Sequence, residues 1–309
     1  VSMDLRQLEA LLAISDHGSF SAAADALHTV QSNISARIAR LEASVGAELV
    51  NRTTRSLTPE GAIVAARART IVSHMDAIHS DIAGLRDVVI GQVTLGIHSS
   101  TARWLVPPLL ADVATRFPEV ELLVTEAASN DIVAGVGEGK IDLGVVNLPL
   151  ERHQLQVTRL FEEDILLVLP VGHMLVASPE PGVEDLDRVP LLAAPEGSAF
   201  RDELNREFAV SGARMVAAYE FNGIRLIESL AVQGVGAALL PASAVPADHE
   251  PTPRKVRGIS RRTVGLVNRQ GTESLPSMAV GEAIRRAVGT TAPSLVGIYA
   301  AESTPSQTG

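Results

Sequence analysis

Between Val30 and Glu42 the chain reads VQSNISARIARLE, and its polar residues are of two kinds. Gln31, Ser32, Asn33 and Ser35 offer short hydroxyl and amide groups, while Arg37 and Arg40 add fixed positive charge. Such side chains can exchange hydrogen bonds with base edges and phosphate oxygens. Arg52, Arg55, Arg67 and Arg69 continue the basic character, with only Glu42, Glu48 and Glu60 against them between residues 31 and 69. On a chain of formal net charge −10, so local a basic stretch points to contact with a polyanion at one place rather than a general nucleic-acid coat.

A second set of candidates lies further on. Ser99, Ser100 and Thr101 follow the apolar run VTLGI and open a helical stretch, so free backbone N–H groups and hydroxyls there can receive an anion, a small carboxylate above all. Asn147 ends the run IDLGVV, Ser198 lies in the loop EGSAF, and Asn222 precedes the helical stretch from 224. All three are polar groups at the ends of expected strands or helices. Catalysis finds little to stand on. The absence of cysteine excludes thiol chemistry, disulfides and Cys-based zinc sites, and there is no His-x-x-x-His pair or G-x-S-x-G elbow. No catalytic residue, metal site or cofactor is expected. His74 and His79 are five apart rather than four and read as solvated. In GVGEGK, Lys140 is followed by Ile141 and a strand pattern, so it reads as a helix end turning into a strand rather than a phosphate loop.

Elements that would position these residues follow from periodicity. Leu5, Leu8, Leu11 and Leu12 mark a helix ending at Gly18, and Ser19 can cap a second helix that buries Phe20, Ala23, Ala24 and Leu27. In a third helix, Ile34, Ile38, Leu41 and Val45 share one arc. Its other face holds Ser32, Ala36 and Ala39 with Asn33, Ser35 and Arg40 alongside, all but the last short enough to let the helix enter a major groove. Thr58-Pro59-Glu60 starts a long helix running to about Asp87. Along it Val64, Ala68, Ile71, Met75, Ile78, Ile82 and Leu85 form a 4-3 seam, which needs a second helix or the chain's own C-terminal part to cover it. From residue 91 short apolar runs alternate with helical stretches, an α/β pattern with largely parallel sheets.

The segments MDLRQLEALLAISDHGSFSAAADALH, QSNISARIARLEASVGAEL and NRTTRSLTPEG together resemble the N-terminal domain of LysR-type transcriptional regulators over about sixty residues in register. The resemblance implies a winged helix-turn-helix domain over 1–58, with Gln31, Ser32, Asn33, Ser35 and Arg37 reading DNA and Arg52 and Arg55 meeting phosphates from the wing. Next it implies a linker and dimerisation helix over 59–90, paired antiparallel through Ile71, Met75, Ile78, Ile82 and Leu85. An α/β effector domain over 91–290 would follow, similar to periplasmic binding proteins, with one lobe at about 91–162 and 268–290 and the other at about 163–267. Ser99 to Thr101, Asn147, Ser198 and Asn222 would line the effector cleft between the lobes. Two departures stand out: Val30 where the family has Ser or Thr, and a shorter wing. Residues 291–309 extend past the family-like region; there SLVGIYAA reads as a strand or helix docked on a neighbour and STPSQTG as disordered.

The expected protein is thus a cytoplasmic, homo-oligomeric regulator, a dimer or tetramer that binds double-stranded DNA and a small effector, with RNA polymerase as a further partner. The alternatives are a small-molecule binding protein or an enzyme without a DNA role. The absence of an 18-residue apolar run and a charged, helix-periodic N-terminus fit the cytoplasmic expectation.

Overall fold

A computed structural model describes residues 3–85, 88–150, 155–246, 252–271 and 273–301, without the side chain of residue 79. STPSQTG and the far end of the long helix, 86–87, lie outside the described residues.

Helices α1 (Leu5–His17), α2 (Phe20–Ala26) and α3 (Gln31–Val45) enclose a small apolar core of Leu8, Leu11, Ile14, Ala23, Ile34, Ile38 and Leu41. Local chemistry sets their ends. Asp4 accepts the Gln7 N–H at 3.0 Å and Ser19 the Ala22 N–H at 3.1 Å, while Gly18 closes α1 in the left-handed region. Val45, expected on the buried arc of α3, is instead exposed, because the helix has reached the edge of this small core at its last turn.

Thr58 caps α4 (Pro59–Gly84) by accepting the Gly61 N–H at 2.9 Å. Gly61 is required there, since a Cβ would stand 2.0 Å from the Leu49 carbonyl oxygen. The 26 residues of α4 span roughly 39 Å. One side of α4 is held by its own chain: Ala65 and Ala68 pack into the N-terminal core, Arg269 Nη1 donates to Thr70 Oγ1 at 2.9 Å, and Ser80 Oγ donates to the Ile90 carbonyl. The other side carries Ile71, Met75, Ile78, Ile82 and Leu85, all exposed and Leu85 by 87%.

Beyond it come β1 (Gly91–Ile97), α5 (Ser99–Arg116), β2 (Val120–Glu126), α6 (Ser129–Glu138), β3 (Leu143–Leu148), β4 (Leu155–Glu163) and β5 (Ile165–Val168). Then follow β6 (Pro190–Ala193), α7 (Ala199–Val210), β7 (Val216–Glu220), α8 (Ile224–Val232), β8 (Ala237–Pro241), β9 (Arg254–Lys255), β10 (Arg262–Arg269), α9 (Leu275–Thr291) and β11 (Ile298–Ala300). One sheet has the order β11-β4-β10-β3-β1-β2 and the other β7-β6-β8-β5-β9, so there are two lobes, each with its own apolar core.

Both sheets are mixed rather than largely parallel. β1 runs parallel to β2 and β3, and β6 to β7 and β8, whereas β10 is antiparallel to β3 and β4, and β5 to β8 and β9. β5 and β10, by which the chain enters the second lobe and re-enters the first, supply most of the antiparallel pairings, and β11 runs antiparallel to β4 at the sheet edge. The return strand enters the first sheet at Arg262, a few residues ahead of the expected lobe boundary at about 267–268. GVGEGK is indeed a helix end, with α6 closing at Gly139 in the left-handed region.

Candidate functional site

At the N-terminal end, Gln31, Ser32, Asn33 and Arg40 are exposed on α3, and Ser35 and Arg37 are half-buried at its edges. Ile34, Ile38 and Leu41 fix the helix against α1 and α2, so the polar face is held outward by a rigid core. Val30 stands at the cap position and supplies no side-chain bond. Thr29 does not replace it, for its Oγ1 accepts from Asn33 Nδ2 at 2.9 Å, tying Asn33 to the turn before the helix.

The wing is short and tightly tied. Val50 bridges Leu57 antiparallel, and Asn51 Oδ1 accepts the N–H groups of Thr53 and Thr54 at 2.9 and 3.0 Å. Glu42, read from sequence only as a counter-charge, turns out to anchor the wing: its Oε1 accepts from the Leu49 and Val50 N–H groups at 2.9 and 3.3 Å. Arg52 lies 3.7 Å from Glu42 Oε2, and Arg52 and Arg55 both face solvent. No periodic pattern could have revealed Glu42, because its bonds span a turn.

Between the lobes the candidates separate. A cavity of about 680 Å³ runs between α5 and α8, lined by Ser99, Ser100, Arg103, Glu126, Arg225 and Glu228 among others. Its arginines are engaged: Arg225 Nη2 donates to Glu126 at 2.6 and 2.8 Å, and Arg103 Nη2 to the Ala244 carbonyl at 2.9 Å. Thr101 is fully buried and directed at His98, with Oγ1 3.4 Å from Nδ1. Ser198 donates to the Pro195 carbonyl at 2.7 Å and Asn222 is exposed; neither lines this cavity.

Deeper in the seam lies a polar cluster that sequence reading did not assemble. His98 follows β1 at the cap of α5, Asn147 sits in β3, Glu163 ends β4 and Arg262 opens β10, so the sheet register gathers them at one end. Burial pushes the His98 imidazole down to about 4, helped by the Arg262 charge; Asn147 is near enough to oppose this without closing a bond of ordinary length. Glu163 is fully buried, which raises its carboxyl despite Arg262 and the Ser243 N–H that donates to it at 3.0 Å. Arg262 stands between two carboxylates, 3.7 Å from Glu163 and 2.9 Å from Glu203 of α7, with its guanidinium 4.7 Å from the Phe200 ring. It thereby links the two lobes, and the cluster carries no uncompensated positive charge. Its members lie far apart in sequence, so only strand register could have brought them together.

A helix-turn-helix with a wing, a long helix and a two-lobed α/β domain are thus joined in one chain. The bacterial regulatory helix-turn-helix family of lysR type matches residues 5–62, and the LysR substrate-binding domain family matches residues 86–288. The chain belongs to the LysR family. It is a LysR-type DNA-binding transcriptional regulator with an effector-binding domain, not an enzyme. Among its relatives is a probable hydrogen peroxide-inducible genes activator of Mycobacterium leprae, 31% identical over 291 residues, covering 92% of this chain and 89% of the relative. A full-length OxyR variant from Pseudomonas aeruginosa superposes with a TM-score of 0.79 at 21% identity, covering 99% of this chain and 100% of that one. Full-length CbnR complexed with its target DNA gives 0.62 at 23% identity, covering 92% and 100%. The regulator has no helix among its described residues long and apolar enough to cross a membrane, and no described group of His, Asp and Glu suited to a metal ion.

Proposed function

We propose that this regulator reads double-stranded DNA with Gln31, Ser32, Asn33, Ser35, Arg37 and Arg40 of α3, contacts phosphates through Arg52 and Arg55, and self-associates along the outer stripe of α4. The observation that carries this reading is the outward polar face of α3, held by a buried apolar face against α1 and α2. Short side chains on that face permit close approach to base edges, while two exposed arginines on the wing supply charge for the backbone. The uncovered stripe from Ile71 to Leu85 supports pairing of two chains, since apolar side chains gain by leaving water together.

The effector site belongs to the interlobe seam. Ser99 and Ser100 open α5, whose N-terminal N–H groups suit a small carboxylate, and both border the cavity. A carboxylate reaching for Arg103 or Arg225 has to displace Glu228 or Glu126. The names of several relatives tie them to hydrogen peroxide. Lacking cysteine, this chain has no thiol for peroxide to oxidise, so a peroxide response would need binding without thiol chemistry. The test is selection of fragments from the source genome with the full-length protein, followed by anisotropy titrations with and without small organic acids. Fragments bound far more tightly than scrambled duplex support the reading; equal affinity for all duplexes contradicts it.

A further inference from the structure

Residues 295–301 follow the stretch matched by the effector-domain family, and they run to the hinge between the lobes. Among the described residues the chain crosses from the first lobe at Glu163 to Ile165, and returns between β9 and β10. β11 adds to the sheet edge beside β4, placing Ile298 opposite Glu163 and Tyr299 opposite Glu162. The Asp164 N–H donates to the Gly297 carbonyl at 2.8 Å, and the Ala301 N–H to the Leu160 carbonyl at 2.9 Å. Gly297 has φ +74°, a backbone angle that favours glycine, and a Cβ on it would stand a tight 3.1 Å from the Ala242 Cβ.

Asp164 is the meeting point. It is only 4% exposed, and its carboxylate accepts the Tyr299 hydroxyl at 2.8 Å and Arg261 Nε at 3.0 Å, with Lys255 Nζ at 3.3 Å. Arg261 also lies over the Tyr299 ring, 3.8 Å from its centre. Asp164 belongs to the outgoing crossing, Lys255 and Arg261 to the return, and Tyr299 to the tail. Any rotation of one lobe on the other must change backbone angles at these crossings, and the tail cross-links them.

We propose that residues 295–301 form a strap across the interlobe hinge, with Tyr299 as the positioning residue that holds Asp164 and Arg261 together and so sets the angle between the lobes. A strand that merely covered a sheet edge would add stability without restraining interlobe motion. Because the chain has no cysteine, nitroxide labels can be placed at Ala114→Cys on α5 and Ala209→Cys on α7, exposed positions in different lobes. Labelled full-length protein diluted with unlabelled protein then reports the distance within one chain. Termination after Ser294 and the single change Tyr299→Phe should both broaden the interlobe distance distribution, and the amides of Asp164 and Ala242 should exchange about tenfold faster in Tyr299→Phe. Tyr299→Phe keeps the strand and the ring, so it decides the matter alone if the truncated chain fails to fold. Unchanged distances and exchange in folded Tyr299→Phe would overturn the proposal.

Discussion

The two wing arginines proposed to contact phosphates differ in their local ties. Arg55 makes no salt bridge of 4 Å or less among the described residues, whereas Arg52 lies 3.7 Å from Glu42. Arg55→Ala and Arg52→Ala should each weaken binding to every sequence alike and reduce the salt slope by about 0.9 per lost phosphate contact, as read from anisotropy titrations at several salt concentrations. Ser32→Ala should leave that slope in place and relax base preference. His98 gives a stability signature. Its folded pKa is about 4 against 6.5 for the free side chain, so the unfolded chain takes up the proton first. Stability from this group is whole above about pH 6.5 and falls as pH drops toward 4, by about 3 kcal/mol in all. Urea melts of wild type and His98→Gln at pH 7 and pH 4.5 should show the wild type losing more between the two conditions. Arg262→Met leaves Glu163 buried without its cation and should cost about 3–5 kcal/mol by the same melts.

Among the elements, α3 and α4 were readable from residue types because each carries a one-sided apolar pattern with recognisable ends. Ile34, Ile38 and Leu41 are buried, and Thr58 caps α4 ahead of Pro59. β4 was not readable: Val157 and Gln156 face outward while Leu160 and Phe161 are both buried, so no clean alternation marks it. β9 and β11 are two and three residues long, too short for any period, and depend on neighbours supplied by tertiary structure. The segment SLVGIYAA does form a strand, yet its neighbour is β4 of the same chain. At α3 the missing cap gives a direct test. Val30→Ser should supply an acceptor for the first turn and raise stability by about 0.5–1 kcal/mol in thermal melts. For α4, Ile78→Asp with Ile82→Asp places carboxylates on the stripe proposed to pair. Light scattering should show loss of the species held by this helix, since burying unpaired charge costs several kcal/mol.

For the whole molecule, the all-helical first part and the α/β part after residue 91 were legible from periodicity, whereas the division of the α/β part into two lobes came from the resemblance to LysR-type regulators. The interlobe cluster of His98, Asn147, Glu163 and Arg262 was not, because it exists only once β1, β3, β4 and β10 are aligned in one sheet. A regulator built this way has its helix-turn-helix at one end of a long helix and its lobes at the other, with Arg269 bonded to Thr70 between them. Two chains paired along α4 would present two copies of α3 to the duplex. Hydroxyl-radical footprinting of the full-length protein on a selected genomic fragment tests this most directly. The expected result is two protected tracts on one face of the duplex, spaced by a whole number of turns of about 10.5 bp, with both lost in the Ile78→Asp, Ile82→Asp protein. A single protected tract that survives the α4 changes, or no protection above that on scrambled DNA, would contradict the account.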